Sequence, residues 1–202
     1  MRVPSMWTAP KPSLQKSIAR LMGLALAGAV VLISTPDARA QNHADGLNAQ
    51  EWVARAGDLP AQLDAARAEG KHLVLLWETP NCDRCNSFHQ LYLADPDFSE
   101  FVQERAVIVQ INRQGANPVV DFDGAATTEA ELSKKYAMGG APTLQFLKET
   151  VSEGDIKDSE VMRQSGYREG DQHRTVLRAM FDYVAERGYQ EKFFAQWFRD
   201  RQ

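Results

Sequence analysis

Cysteine is scarce in this chain: of 202 residues only Cys82 and Cys85 are cysteines, and neither follows closely on the apolar block near the N-terminus, which argues against a bacterial lipoprotein anchor. No second cluster supplies a fourth strong ligand to Cys82, Cys85 and His89, so a closed structural zinc site is not expected. Asn86 stands where haem attachment through Cys-x-x-Cys-His requires histidine. Long apolar runs are missing as well. The block "LMGLALAGAVVLI" is well short of the roughly 20 residues a membrane-spanning helix needs. Neither an internal repeat nor a low-complexity tract occurs.

That short block has the marks of an export signal. Arg2, Lys11, Lys16 and Arg20 precede it, and Ala38 and Ala40 give the small-x-small pattern of a signal-peptidase site. Cleavage after Ala40 and a periplasmic product are expected, with no stable membrane insertion afterwards. Losing the leader removes five basic residues and one acid, which takes the formal net charge from −4 to −8. Such an acidic balance argues against nucleic acid and anionic membrane surfaces as partners, since both attract clustered Lys and Arg. About 160 residues remain, enough for one domain with a real core. We divide the chain into a signal peptide (1–40), a polar lead-in (41–49), one domain (50–188) and an amphipathic helical extension (189–202) in which Phe194, Trp197 and Phe198 share a face and are expected to dock on their own domain.

Within the domain, Asp58, Pro60 and Gly70 bracket a helix. "HLVLLWE" has no helical spacing and reads as a buried strand. After "TPN", residues Cys82, Cys85, Phe88 and Tyr92 recur at helical steps, which places Cys82 at a helix N-terminus. Asp95 and Pro96 open a further helix, "VIVQIN" is a second strand, and Thr128 with Glu131 has capping-box spacing. "TLQFLK" and "VMRQSGY" read as a hairpin, and a last helix starts near Asp171. The order predicts an α/β fold with a mixed central sheet flanked by helices. In the long segment 115–129, Asp121, Asp123 and Glu129 fit no EF-hand spacing and read as solvated turn residues.

The two cysteines have few useful alternatives to redox chemistry. As a structural staple, so small a loop contributes only about 2 kcal/mol by chain entropy. At a helix N-terminus, by contrast, unpaired N–H groups and the dipole stabilise a thiolate by roughly 0.3 to 2 kcal/mol. Cys82 is then the exposed nucleophile and Cys85 the resolving thiol. No cofactor and no metal are expected.

The strand, the Cys-x-x-Cys at a helix start and the downstream "GGAPTLQF" resemble the thioredoxin-like superfamily over roughly residues 50 to 188. The resemblance implies that Ala141-Pro142 is cis and that Ala141, Pro142 and Thr143 bind the extended chain of a disulfide-bearing exported partner. "WETPNCDRC", "DFDGAATTEAEL", "APTLQFL" and "GYREGD" are similar more narrowly to the SoxW group of exported thioredoxins from bacterial sulfur-oxidation (Sox) systems. That implies a membrane electron donor of the DsbD or CcdA kind. The chain departs from thioredoxin proper in enclosing Asp83-Arg84 between its cysteines and in carrying Leu76 where thioredoxin has a buried acid. Glu78 is the candidate substitute for proton transfer, set against an exposed strand-end carboxylate, and His89 reads as a surface or packing residue. Two classes stay open: a thiol-disulfide oxidoreductase, and a non-catalytic metal-binding or folding-partner module on the same scaffold.

Overall fold

The computed structural model describes residues 41–151 and 156–202; the expected signal peptide and residues 152–155 lie outside them. Two short strands come first, β1 (Gln41–Asn42) and β2 (Asn48–Ala49), followed by β3 (Ala54–Arg55), α1 (Leu59–Ala68), β4 (His72–Glu78) and α2 (Asp83–Phe88). A π turn, His89–Leu93, leads to α3 (Pro96–Gln103), β5 (Ala106–Asn112), β6 (Pro118–Val120), β7 (Ala126–Thr128) and α4 (Glu129–Lys135). The last elements are β8 (Thr143–Leu147), α5 (Ile156–Ser159), β9 (Glu160–Ser165), α6 (Asp171–Ala185) and α7 (Phe194–Arg199).

The main sheet has the order β3-β5-β4-β8-β9, with β3, β5 and β4 parallel and β8 and β9 antiparallel. This is the mixed sheet read from the sequence. The seven residues of β4 are all buried because the strand is central and covered on both faces. Its alternate side chains divide accordingly. Leu73, Leu75 and Trp77 pack toward α1 and α4, whereas Val74 and Leu76 pack with Phe88, Tyr92, Phe98, Phe146 and Phe181 beneath α2, α3 and α6. Glu78 continues the second set, so β4 delivers a carboxylate to the layer under α2.

Helix boundaries follow their caps. Asp58 and Asp95 each accept a backbone N–H from the first turn of α1 and α3, and Thr128 with Glu131 closes a full capping box on α4. Segment 115–129 is not an open loop. It folds into the β6-β7 hairpin, in which Asp121 is buried and accepts from Lys135 Nζ at 2.5 Å and from the Tyr136 hydroxyl. Glu129 is also buried, against Arg55. The reading of Asp121 and Glu129 as solvated is therefore corrected: each carboxylate has cationic and N–H or O–H partners that offset its desolvation. Asp123 is the exposed member, paired with Lys135.

The C-terminal extension docks on the domain, with Trp197 buried edge-on against Tyr183 at 5.3 Å between centroids and Phe194 and Phe198 packed beside it. The lead-in is folded too. Leu47 is buried and β1 pairs antiparallel with β2. Among the described residues no helix is long and apolar enough to cross a membrane.

Candidate active site

The turn after β4 is made possible by Asn81, whose φ of 54° is one that Asn tolerates better than most residues. It sets Cys82 in extended backbone as the N-cap of α2, where Sγ accepts the Cys85 N–H at 3.1 Å. Cys82 and Cys85 form a disulfide with their Cα atoms 5.2 Å apart. Cys82 is half-buried and Cys85 is 1% exposed, so an incoming sulfur meets Cys82. Among the described residues no three His, Cys, Asp or Glu side chains are grouped to hold a metal ion.

One wall of the site comes from the segment before β8 and the turn after β9. Ala141-Pro142 is cis, and the Pro142 carbonyl accepts the Gly166 N–H at 2.7 Å. Arg84, lying between the two cysteines, reaches this wall and donates Nη2 to the Tyr167 carbonyl at 3.4 Å. Gly166 is what leaves room: its φ is +71°, and a Cβ there would stand 2.5 Å from Arg84 Nη2. Pro142 and Phe88 line one narrow crevice with Leu144 and His173. Of the three residues assigned to partner binding, Ala141 is half-buried while Pro142 and Thr143 are buried. Thr143 Oγ1 is occupied by the Gly140 carbonyl and Ser165 Oγ, both at 3.1 Å. It therefore shapes the loop, and its side chain is committed inward.

Beneath α2 lies a polar cluster. Glu78 and His89 are both 0% exposed, with His89 Nε2 3.0 Å from Glu78 Oε2. The strand-end position of Glu78 is roofed by α2 and the lead-in, so the exposed-carboxylate alternative does not hold. His89 is neither a surface residue nor simple packing. Its spacing from Cys85, one helical turn, was a legible signal; that a carboxylate from β4 waits on that face was not. Gln110 Nε2 donates to the same Glu78 oxygen at 2.5 Å and to the Asn48 carbonyl at 2.9 Å. Among the described residues, Glu78 Oε1 and His89 Nδ1 have no hydrogen-bond partner. Two ionisable groups are thus buried side by side beneath α2.

The lead-in supplies the opposite wall. Asn48 Nδ2 donates to Asn86 Oδ1 at 2.8 Å, and a Cβ on Gly46 would stand 3.4 Å from Pro80. Asp45 is salt-bridged to Arg55 at 2.5 Å. Burial pushes the Asp45 carboxyl up, but Arg55, the Leu47 N–H and Asn112 outweigh it and hold it below its ordinary value.

Two other imidazoles affect stability. Burial holds His72 below the ordinary histidine value against the pull of Glu149, and burial aided by Arg168 does the same to His173. The unfolded chain therefore takes up protons that the fold refuses. Their contribution is fully present above the unfolded histidine value of about 6.5 and is lost as pH falls through it. The melting temperature is expected to fall between about pH 7.5 and about pH 5.5, and less so in His173→Asn. A slope unchanged by that substitution would remove His173 from the account.

A family profile described as a thioredoxin-like domain matches residues 59–181, more than half the chain. Among solved structures the chain is similar to a thioredoxin-fold protein from Helicobacter pylori, at 15% identity and a TM-score of 0.50, over 65% of this chain and 81% of that one. It also aligns with a thioredoxin from Thermus thermophilus at 22% identity and a TM-score of 0.49, over 68% and 93% of the two chains. No curated protein matches. With the profile running from the start of α1 into α6, the chain belongs to the thioredoxin-like domain family.

Proposed function

We propose that this protein is an exported, periplasmic thiol-disulfide oxidoreductase that reduces disulfides of partner proteins through Cys82 and Cys85. The observation that carries this reading is a disulfide whose outer sulfur, at a helix N-cap, is reachable while the inner one is sealed. In the reduced protein the Cys82 thiolate attacks one sulfur of the partner disulfide, forming a mixed disulfide and releasing the other as a thiolate. Cys85 loses its proton and attacks Cys82 Sγ, which frees the second partner thiolate and leaves the Cys82-Cys85 disulfide. Two electrons pass to the partner. Glu78, backed by His89, is the acceptor we assign to the Cys85 proton, because it is a buried carboxylate in the layer directly beneath α2. Ala141 and Pro142 are assigned to the partner's backbone.

The direction follows from thiolate stability. Strong oxidants hold a very stable thiolate, which favours the reduced form. Here Asp83 opposes a thiolate on Cys82, and Arg84 is turned toward Tyr167, leaving mainly the helix terminus. We assign re-reduction to a membrane donor of the DsbD or CcdA kind and place the protein with the SoxW group in sulfur oxidation, on the quoted motifs. Equilibration with glutathione tests the direction. A potential near about −270 mV, the thioredoxin range, is expected; one near about −120 mV, as for DsbA, would reverse it.

A further inference from the structure

Gln110 has a side-chain amide whose two ends are chemically opposite, and its neighbours fix which end points where. Arg55 can only donate, and its Nη1 lies 3.0 Å from Gln110 Oε1. The Asn48 carbonyl can only accept, and it takes Nε2 at 2.9 Å. Hence the amide presents N–H to Glu78 Oε2 at 2.5 Å, a donor that favours the ionised carboxylate. Arg55 is itself fixed from β3. It bonds Asp45 Oδ2 at 2.5 Å and Glu129 Oε1 at 3.2 Å, and Glu129 also accepts from the Asn112 N–H and from Asn117 Nδ2, both at 2.9 Å. Among the described residues, the charged and titratable groups around Glu78 are thus His89 on the helix side and Arg55, Asp45 and Glu129 reached through Gln110.

We propose that Arg55 is a positioning residue for the redox site: by holding Gln110 with its N–H₂ toward Glu78, it keeps that carboxylate in the proton-accepting form. The inference rests on the proton-acceptor role given to Glu78 above. Without Arg55 the amide loses the donor that holds Oε1, and the Asn48 carbonyl alone then opposes a rotation that presents Oε1, an acceptor that suits a protonated carboxyl. A partly exposed residue of β3, two strands from β4 in the sheet, then governs how readily Cys85 is deprotonated.

Carboxyl-carbon NMR of Glu78 in the oxidised protein reads this directly. Arg55→Met is expected to raise the Glu78 titration midpoint by about one pH unit, the scale of one lost hydrogen bond to a charged group. Arg55→Lys, which retains a donor, should keep the wild-type midpoint. Gln110→Met should reproduce the rise without touching the Arg55 charge, and it serves equally if Arg55→Met does not fold. In the Arg55→Met/Gln110→Met double variant the rise should be no larger than in Gln110→Met alone, because both break one linkage. An unmoved midpoint in Arg55→Met, or a double variant equal to the sum of the singles, would overturn the proposal in favour of none or of a plain field effect. The role of Glu78 is read separately. If Glu78→Gln leaves the pH profile of exchange unchanged, that role falls, while the titration still decides whether Arg55 sets the charge.

Discussion

Cys82→Ser is expected to abolish disulfide exchange, and Cys85→Ser to convert the protein into a trap. The asymmetry follows from burial. Cys82 caps α2 and is half-exposed, whereas Cys85 is 1% exposed one turn in. Exchange runs through a mixed disulfide, so removing the attacking sulfur leaves nothing that a partner can reach. Removing the inner sulfur leaves the attack intact and the resolution impossible. Reducible adducts should accumulate on a non-reducing gel with Cys85→Ser alone, and adducts formed by Cys82→Ser instead would reverse the assignments.

His89→Leu is the second large effect, and it falls on stability. The Glu78 carboxylate is wholly buried, and its partners among the described residues are His89 and Gln110. Breaking a buried pair from one side leaves an uncompensated charge, which costs about 3 kcal/mol or more, or about 10 °C in melting temperature for a domain of this size. The comparison that isolates the cause is His89→Leu/Glu78→Leu, with apolar groups of similar volume at both positions. It should regain most of the loss, since a matched apolar replacement is often neutral. A double variant no more stable than His89→Leu would mean that His89 matters for packing.

The outline of the fold could be read directly because its signals are local. Asp58, Asp95 and Thr128 each sit where the cap is made, and the run from His72 to Glu78 reads as a central strand because no position on either face is left for solvent. Cys82 was legible as an N-cap from helical spacing alone. What stayed hidden were long-range matches. Glu78, His89 and Gln110 come from three elements, and nothing in a single sequence says that β4, the start of the π turn and β5 bring them to one point. The three-residue strands β6 and β7 were too short to rise above the turn residues around them. Nothing local to Arg55 marks it either, since its partners Gln110, Asp45 and Glu129 come from β5, the lead-in and α4.

The central claim is that Cys82 and Cys85 exchange electrons with protein disulfides, as against a scaffold that only binds a metal or a folding partner. Reduction of insulin disulfides by the purified protein with dithiothreitol, alongside metal analysis of the same sample, tests it most directly. Catalysed precipitation of insulin that is lost in Cys82→Ser, in protein without stoichiometric metal, is the predicted result. Stoichiometric metal with no acceleration over dithiothreitol alone would contradict it.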